Sequence, residues 1–219
     1  MTAFLAAVER GWGAELDVHL MKDGNLAVIH DSSLKRTAGA DVRIEDLTVE
    51  DLGQFVLEDS QERIPLLEEV LALFAGKTPL IIELKAERGN HAALSEAVAK
   101  LLDGYAGDYC IESFDPRVVS WFRKNRPAVC RGQLAENFLV HKDNDLAGPL
   151  RIVLTNLLAN VAAVPDFVAY RFSDRKTAGF RLCRFLWRPQ IIYWTLRSRE
   201  AVDAAEQEGA LCIFENLIP

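Results

Sequence analysis

Residues 15–31 read E-L-D-V-H-L-M-K-D-G-N-L-A-V-I-H-D, and most of the chain's recognisable chemistry is concentrated there. Side chains on a strand alternate between faces, so Glu15, Asp17 and His19 project to one side while Leu16 and Val18 pack on the other. Two carboxylates on one face of an otherwise apolar strand repel each other and are costly to bury, and a divalent cation is the simplest partner that makes them favourable. Alone, the pair would read as the solvated acidic face of a half-exposed strand. Farther along, P-L-I-I-E-L-K places Glu83 and Lys85 two apart at the end of a second apolar run, hence on one face. A third carboxylate beside Glu15 and Asp17 makes an all-oxygen site suited to Mg²⁺ or Ca²⁺ rather than zinc. Lys85 adds a positive charge for an anionic ligand, and His30 a group able to move a proton. Cation, lysine and histidine in one mouth are the equipment of phosphoryl chemistry.

Such residues need a scaffold that brings distant strand ends together. Residues 2–10 have helical periodicity and 14–20 read as a strand; D-G at 23–24 signals a hairpin, with 26–30 as the return strand. Pro65 marks the start of a helix running to about Phe74. Strand-like runs then recur at 79–83, 109–113, 128–133, 166–170, 190–194 and 210–214. Helical patterns lie between them at 91–102, 116–124, 149–158, 174–186 and 199–208. Strands alternating with helices, and lacking period-two amphipathicity, predict a parallel sheet covered on both faces. A TIM-type (β/α)8 barrel fits best, in a single domain over residues 1–219. An open doubly wound sheet fits less well, because no glycine-rich phosphate loop follows the first strand. The count is about seven parallel strands, one short of closure. In a barrel the chemistry sits at the C-terminal strand ends, where Glu15, Asp17, Glu83, Lys85 and Trp194 fall.

Composition narrows the partners. A net charge of −7 with dispersed basic residues gives no electrostatic reason to expect nucleic acid. One basic patch, at 171–188, alternates with apolar residues at helical spacing and reads as a solvated helix face, with anionic lipid or phosphate as the alternative. Cys110, Cys130, Cys183 and Cys212 have no metal-ligand or disulfide spacing. No segment approaches a membrane span, and no charged region followed by an apolar core opens the chain, so a cytoplasmic location is expected.

The 15–31 block resembles the glycerophosphodiester phosphodiesterase family of phospholipase-C-like barrels. Supporting matches are R-I-P-L-L-E-E-V-L at 63–71, I-I-E-L-K at 81–85, S-F-D-P at 113–116 and Y-W-T at 193–195, so the resemblance covers essentially the whole chain. It implies metal-dependent hydrolysis of glycerophosphodiesters to glycerol 3-phosphate and an alcohol. By motif position it implies Glu15, Asp17 and Glu83 as metal ligands, His30 as one of two catalytic histidines, Lys85 as a phosphate contact and Trp194 as a pocket-lining aromatic. His19 reads as a supporting group, and His91 and His141 as surface residues. The family opens with a strand ending in H-R-G, whereas this sequence begins at the following helix. The expectation is therefore a barrel without its first strand or second catalytic histidine, its gap covered by the 2–10 helix or by another copy in a homo-oligomer. A catalytically inactive remnant that binds glycerophosphodiesters or a partner without turnover is the alternative. The short 31–64 segment leaves the alcohol head group open.

Overall fold

The computed structural model describes residues 1–57, 60–141 and 146–217. They form two compact units, Met1–Ile111 with Asn125–Val129, and Glu112–Lys124 with Cys130–Pro219.

In the first unit, helix α1 (Thr2–Glu9) precedes strands β1 (Ala14–Leu20) and β2 (Leu26–Val28). Short helices α2 (Lys35–Ala38) and α3 (Val49–Leu52) flank a 3₁₀ turn at Ile44–Asp46. Then come α4 (Leu67–Phe74), β3 (Leu80–Leu84), α5 (His91–Leu102) and the start of β4 (Tyr109–Ser113). β1 pairs antiparallel with β2 and parallel with β3. The hairpin forms where D-G signals it: Gly24 takes φ +89°, a left-handed conformation that glycine adopts without a Cβ penalty, and the Met21 N–H donates to the Asn25 carbonyl at 2.9 Å. Gly13 is needed at the entry to β1, because a Cβ there would lie 2.7 Å from the Pro79 carbonyl oxygen. Leu16 and Val18 are buried, as the alternation on β1 requires. Helix α4 begins two residues past Pro65: Leu66 stays extended, bridges to Ala27, and donates its N–H to the Glu69 carboxylate at 2.7 Å, closing the first turn.

In the second unit, the end of β4 leads into α6 (Pro116–Asn125), β5 (Cys130–Ala135), α7 (Gly148–Thr155), α8 (Asn160–Ala163) and β6 (Phe167–Arg171). After a 3₁₀ turn follow α9 (Ala178–Trp187), β7 (Gln190–Leu196), α10 (Arg199–Gln207) and β8 (Leu211–Phe214). β5–β6, β6–β7 and β7–β8 pair in parallel, and their apolar residues form a core around Tyr170, Tyr193 and Phe180. The helix expected at 149–158 is α7, which ends at Thr155 ahead of Leu157 with its positive φ of 56°, and the short α8 follows beyond the expected span. The alternation of strands and helices is the α/β class the sequence predicts. Among the described residues the cysteines are free thiols, but only Cys183 is buried, and Cys130 is exposed at the start of β5.

Candidate active site

The parallel register of β1 and β3 sets Asp17 directly beside Glu83 and Glu15 beside Ile81. Because Glu15 and Asp17 share a strand face, the three carboxylates converge, each offering an oxygen within 4.8 Å of the others. The ladder continues one residue past β3, where the Lys85 N–H donates to the Val18 carbonyl at 3.0 Å. That contact places the Lys85 ammonium over the pair, 2.9 Å from Asp17 and 2.8 Å from Glu83.

The Lys85 ammonium pairs with two of the three carboxylates, Asp17 and Glu83. Burial and the neighbouring Asp17 charge push Glu83 well above the carboxylate range, even against the pull of Lys85. Asp17 is held low: burial opposes it, but attraction to Lys85, a hydrogen bond from Glu83 and the nearby His30 outweigh that cost. The buried Lys85 is raised by its two carboxylate neighbours. An all-oxygen set fits a hard divalent cation.

His30 lies just past β2, with its ring largely exposed. Its Nδ1 is 2.7 Å from an Asp31 oxygen, and Arg36 Nε donates to the other oxygen at 2.6 Å. The hydrogen bond from Arg36, reinforced by His30, lowers Asp31 to about 2, so the carboxylate can only accept and the imidazole must donate through Nδ1. Nε2 is the ring nitrogen that Asp31 does not engage.

His19, expected to support the site, is buried and has both ring nitrogens engaged. Nδ1 meets Glu45 at 2.7 Å and Nε2 the His30 carbonyl oxygen at 3.4 Å. Glu45 also accepts from Ser32 Oγ at 2.6 Å and Arg43 Nε at 3.2 Å. The network ties the strand carrying the carboxylates to the backbone of His30, and it leaves His19 no nitrogen for a substrate. Burial works against the Glu45 charge, but the bonds to His19 and Ser32 prevail and lower it to about 2. Asp31, Arg36 and Glu45 were not among the residues singled out from the sequence. The H-D pair at 30–31 was a usable signal for Asp31; nothing local pointed to Glu45.

Trp194, in β7 of the second unit, packs edge-to-face on Phe114 at 5.7 Å between ring centres, with the Arg171 guanidinium 5.9 Å from its own ring. Its indole N–H is buried without a hydrogen-bond partner among the described residues. His141, expected at the surface, is instead half-buried, with Nε2 3.0 Å from Asp174, and together with Glu136 makes a second group of potential metal ligands. His91 opens α5.

Comparison with known proteins defines the class. The model of the glycerophosphoryl diester phosphodiesterase family matches residues 1–215, and the chain belongs to that family. A glycerophosphodiester phosphodiesterase of Bacillus altitudinis is 35% identical over 140 residues, which are 59% of this chain and 57% of that protein. A lysophospholipase D of Homo sapiens is 36% identical over 118 residues, 48% of this chain and 36% of that protein. The chain spans about half the length of the curated relatives it matches. An Oleispira antarctica phosphodiesterase solved in complex with the product sn-glycerol-3-phosphate superposes with a TM-score of 0.78 at 18% identity, over 97% of this chain and 85% of that one. A Thermotoga maritima glycerophosphodiester phosphodiesterase gives 0.72 at 25% identity, over 97% and 86%. The shared fold is of the TIM-barrel class.

Proposed function

We propose that the chain hydrolyses glycerophosphodiesters to glycerol 3-phosphate and an alcohol in a reaction that depends on a divalent cation. The observation that carries this is the β1–β3 register, which gathers Glu15, Asp17 and Glu83, the last two on the Lys85 ammonium, within a family named for that reaction. A hard cation, Mg²⁺ or Ca²⁺, held by these carboxylates would neutralise the phosphate and stabilise the charge that develops in the transition state. Lys85 pairs with a non-bridging phosphate oxygen. With Asp31 on Nδ1, the imidazolium form of His30 gives its Nε2 proton to the leaving alcohol oxygen as the phosphorus–oxygen bond breaks. The entering oxygen, ultimately from water, forms the new phosphorus–oxygen bond, and the proton it sheds passes to solvent, from which Nε2 is protonated again. Trp194 lines the pocket for the glycerol or the head group, and a ligand oxygen there would satisfy its indole N–H.

The test measures glycerol 3-phosphate release from glycerophosphocholine with Mg²⁺ or Ca²⁺ and with chelator. Release that chelator abolishes, and that His30→Asn cuts by roughly 10²–10⁴ in kcat with cation affinity unchanged, is the expected result. Calorimetric binding of glycerophosphocholine without any release would favour the inactive remnant. Release untouched by chelator would remove the cation from the reaction.

A further inference from the structure

Helix α9 buries only one of its two apolar faces. Phe180 and Cys183 point into the core. On the opposite side Leu182, Phe185 and Leu186, spaced three and four apart, form one ridge with exposures of 57%, 73% and 56%, and Trp187 at the helix end is 53% exposed. The flank between the two faces is basic. Arg181, Arg184 and Arg188 recur along it at helical spacing, and Arg175, Lys176, Arg181, Arg184 and Glu208 wall an open cleft of about 360 Å³. Glu208 neutralises part of this charge, pairing with Arg184 at 2.5 Å and Arg175 at 3.3 Å. The surplus stays positive on a chain whose net charge is −7.

We propose that α9 is a docking helix for an anionic lipid surface. Three large apolar side chains side by side in water are unfavourable, and exposed apolar patches rimmed by charge mark interaction sites. With α9 lying in the interface plane, Leu182, Phe185 and Leu186 reach the acyl boundary and the arginines meet headgroup phosphates. Charge selects this occupant over a second copy of the chain. A two-fold dimer would set the same arginine row against itself. No described helix is long and apolar enough to cross a membrane. Its basis is independent of the phosphodiesterase reading.

Cosedimentation with vesicles tests it without any activity measurement. The chain should sediment with equimolar phosphatidylglycerol and phosphatidylcholine, not with phosphatidylcholine alone, and release as salt is raised. Phe185→Ser with Leu186→Ser should weaken binding at least tenfold by the area rule. Arg181→Glu should do the same, each surface charge being worth about fivefold. Melting temperatures should hold, because these side chains are exposed, and thus exclude misfolding as the cause. Equal binding to both vesicle types, or variants that bind as the wild type does, would overturn the proposal. So would absence of vesicle binding together with a concentration-dependent dimer that Phe185→Ser abolishes, which would assign the face to a second copy.

Discussion

Among the described residues two clusters, one of three carboxylates and one of two carboxylates and a histidine, bring potential ligand atoms together and differ in their surroundings. Glu15, Asp17 and Glu83 lie within 4.8 Å of one another, and so do ligand atoms of Glu136, His141 and Asp174. In the second cluster each carboxylate already has its counterpart: Arg171 donates to Glu136 at 2.9 Å, and His141 and the Asn137 N–H meet Asp174 at 3.0 and 2.9 Å. In the first, one ammonium pairs with both Asp17 and Glu83, and burial together with the neighbouring Asp17 charge drives Glu83 well above its ordinary range. Proximity of ligand atoms therefore does not define a cation site. A buried carboxylate driven up in this way is the better criterion, because a cation bound there would relieve a desolvation cost.

The largest effect should come from removing a member of the carboxylate cluster. Glu83→Gln deletes one carboxylate ligand, so it should abolish high-affinity Mg²⁺ or Ca²⁺ binding by calorimetry. It should also lower glycerol 3-phosphate release by about 10²–10³, the range for losing one preorganised electrostatic contact. Unchanged calorimetry would place the cation elsewhere. The neutral glutamine adds no buried charge, so the melting temperature should not fall, which separates loss of the site from loss of the fold.

A smaller effect is expected from the network behind the site. His19→Ala leaves Glu45 buried with its main partner gone and should cost about 2–3 kcal/mol in denaturant unfolding. The backbone at His30 loses a support, so kcat should fall about tenfold, the scale for a misplaced catalytic group, with cation affinity intact. A kcat loss as large as that of His30→Asn would make His19 part of the chemistry rather than its support.

How much of this was legible depended on whether a residue's role followed from strand periodicity. Glu15, Asp17, Glu83 and Lys85 did, since period two fixes the face and parallel pairing brings equivalent strand ends together. Asp31–Arg36 and His19–Glu45 did not. Their partners come from the 31–46 segment, whose short helix and 3₁₀ turn have no apolar rhythm to fix an orientation. His141 was misplaced for the same reason, its partner Asp174 being 33 residues away in sequence. Helix α9 shows the converse limit: apolar residues on two faces look alike in sequence, and only the packing shows that Phe180 is inside and Phe185 outside. The strand and helix order was recovered because burial on both sheet faces leaves uninterrupted apolar runs.

Glu45 also supplies a pH signature. Its folded value of about 2 lies below the ordinary 4.5, so its contribution is fully present above about 4.5 and is lost as the pH falls toward about 2. The melting temperature of the wild type should exceed that of Glu45→Gln at neutral pH, and the gap should narrow through this acid window. A gap that stays constant down to the lower end would mean that Glu45 acts through shape rather than charge.

The smallest effect is expected in the other cluster, and it completes the comparison. Asp174→Asn keeps an oxygen to accept the Asn137 N–H and removes only the charge facing His141. The pair is partly exposed, so the loss should be about 1 kcal/mol or less. Because Glu136 remains paired with Arg171, the substitution creates no cation requirement. Calorimetry with Mg²⁺ and Ca²⁺ should give the stoichiometry and affinity of the wild type. A lost binding event in Asp174→Asn, with the event lost in Glu83→Gln still present, would show a second cation site in the other unit. In that case ligand geometry alone would have been the better guide, and a buried carboxylate driven up would not separate the two clusters.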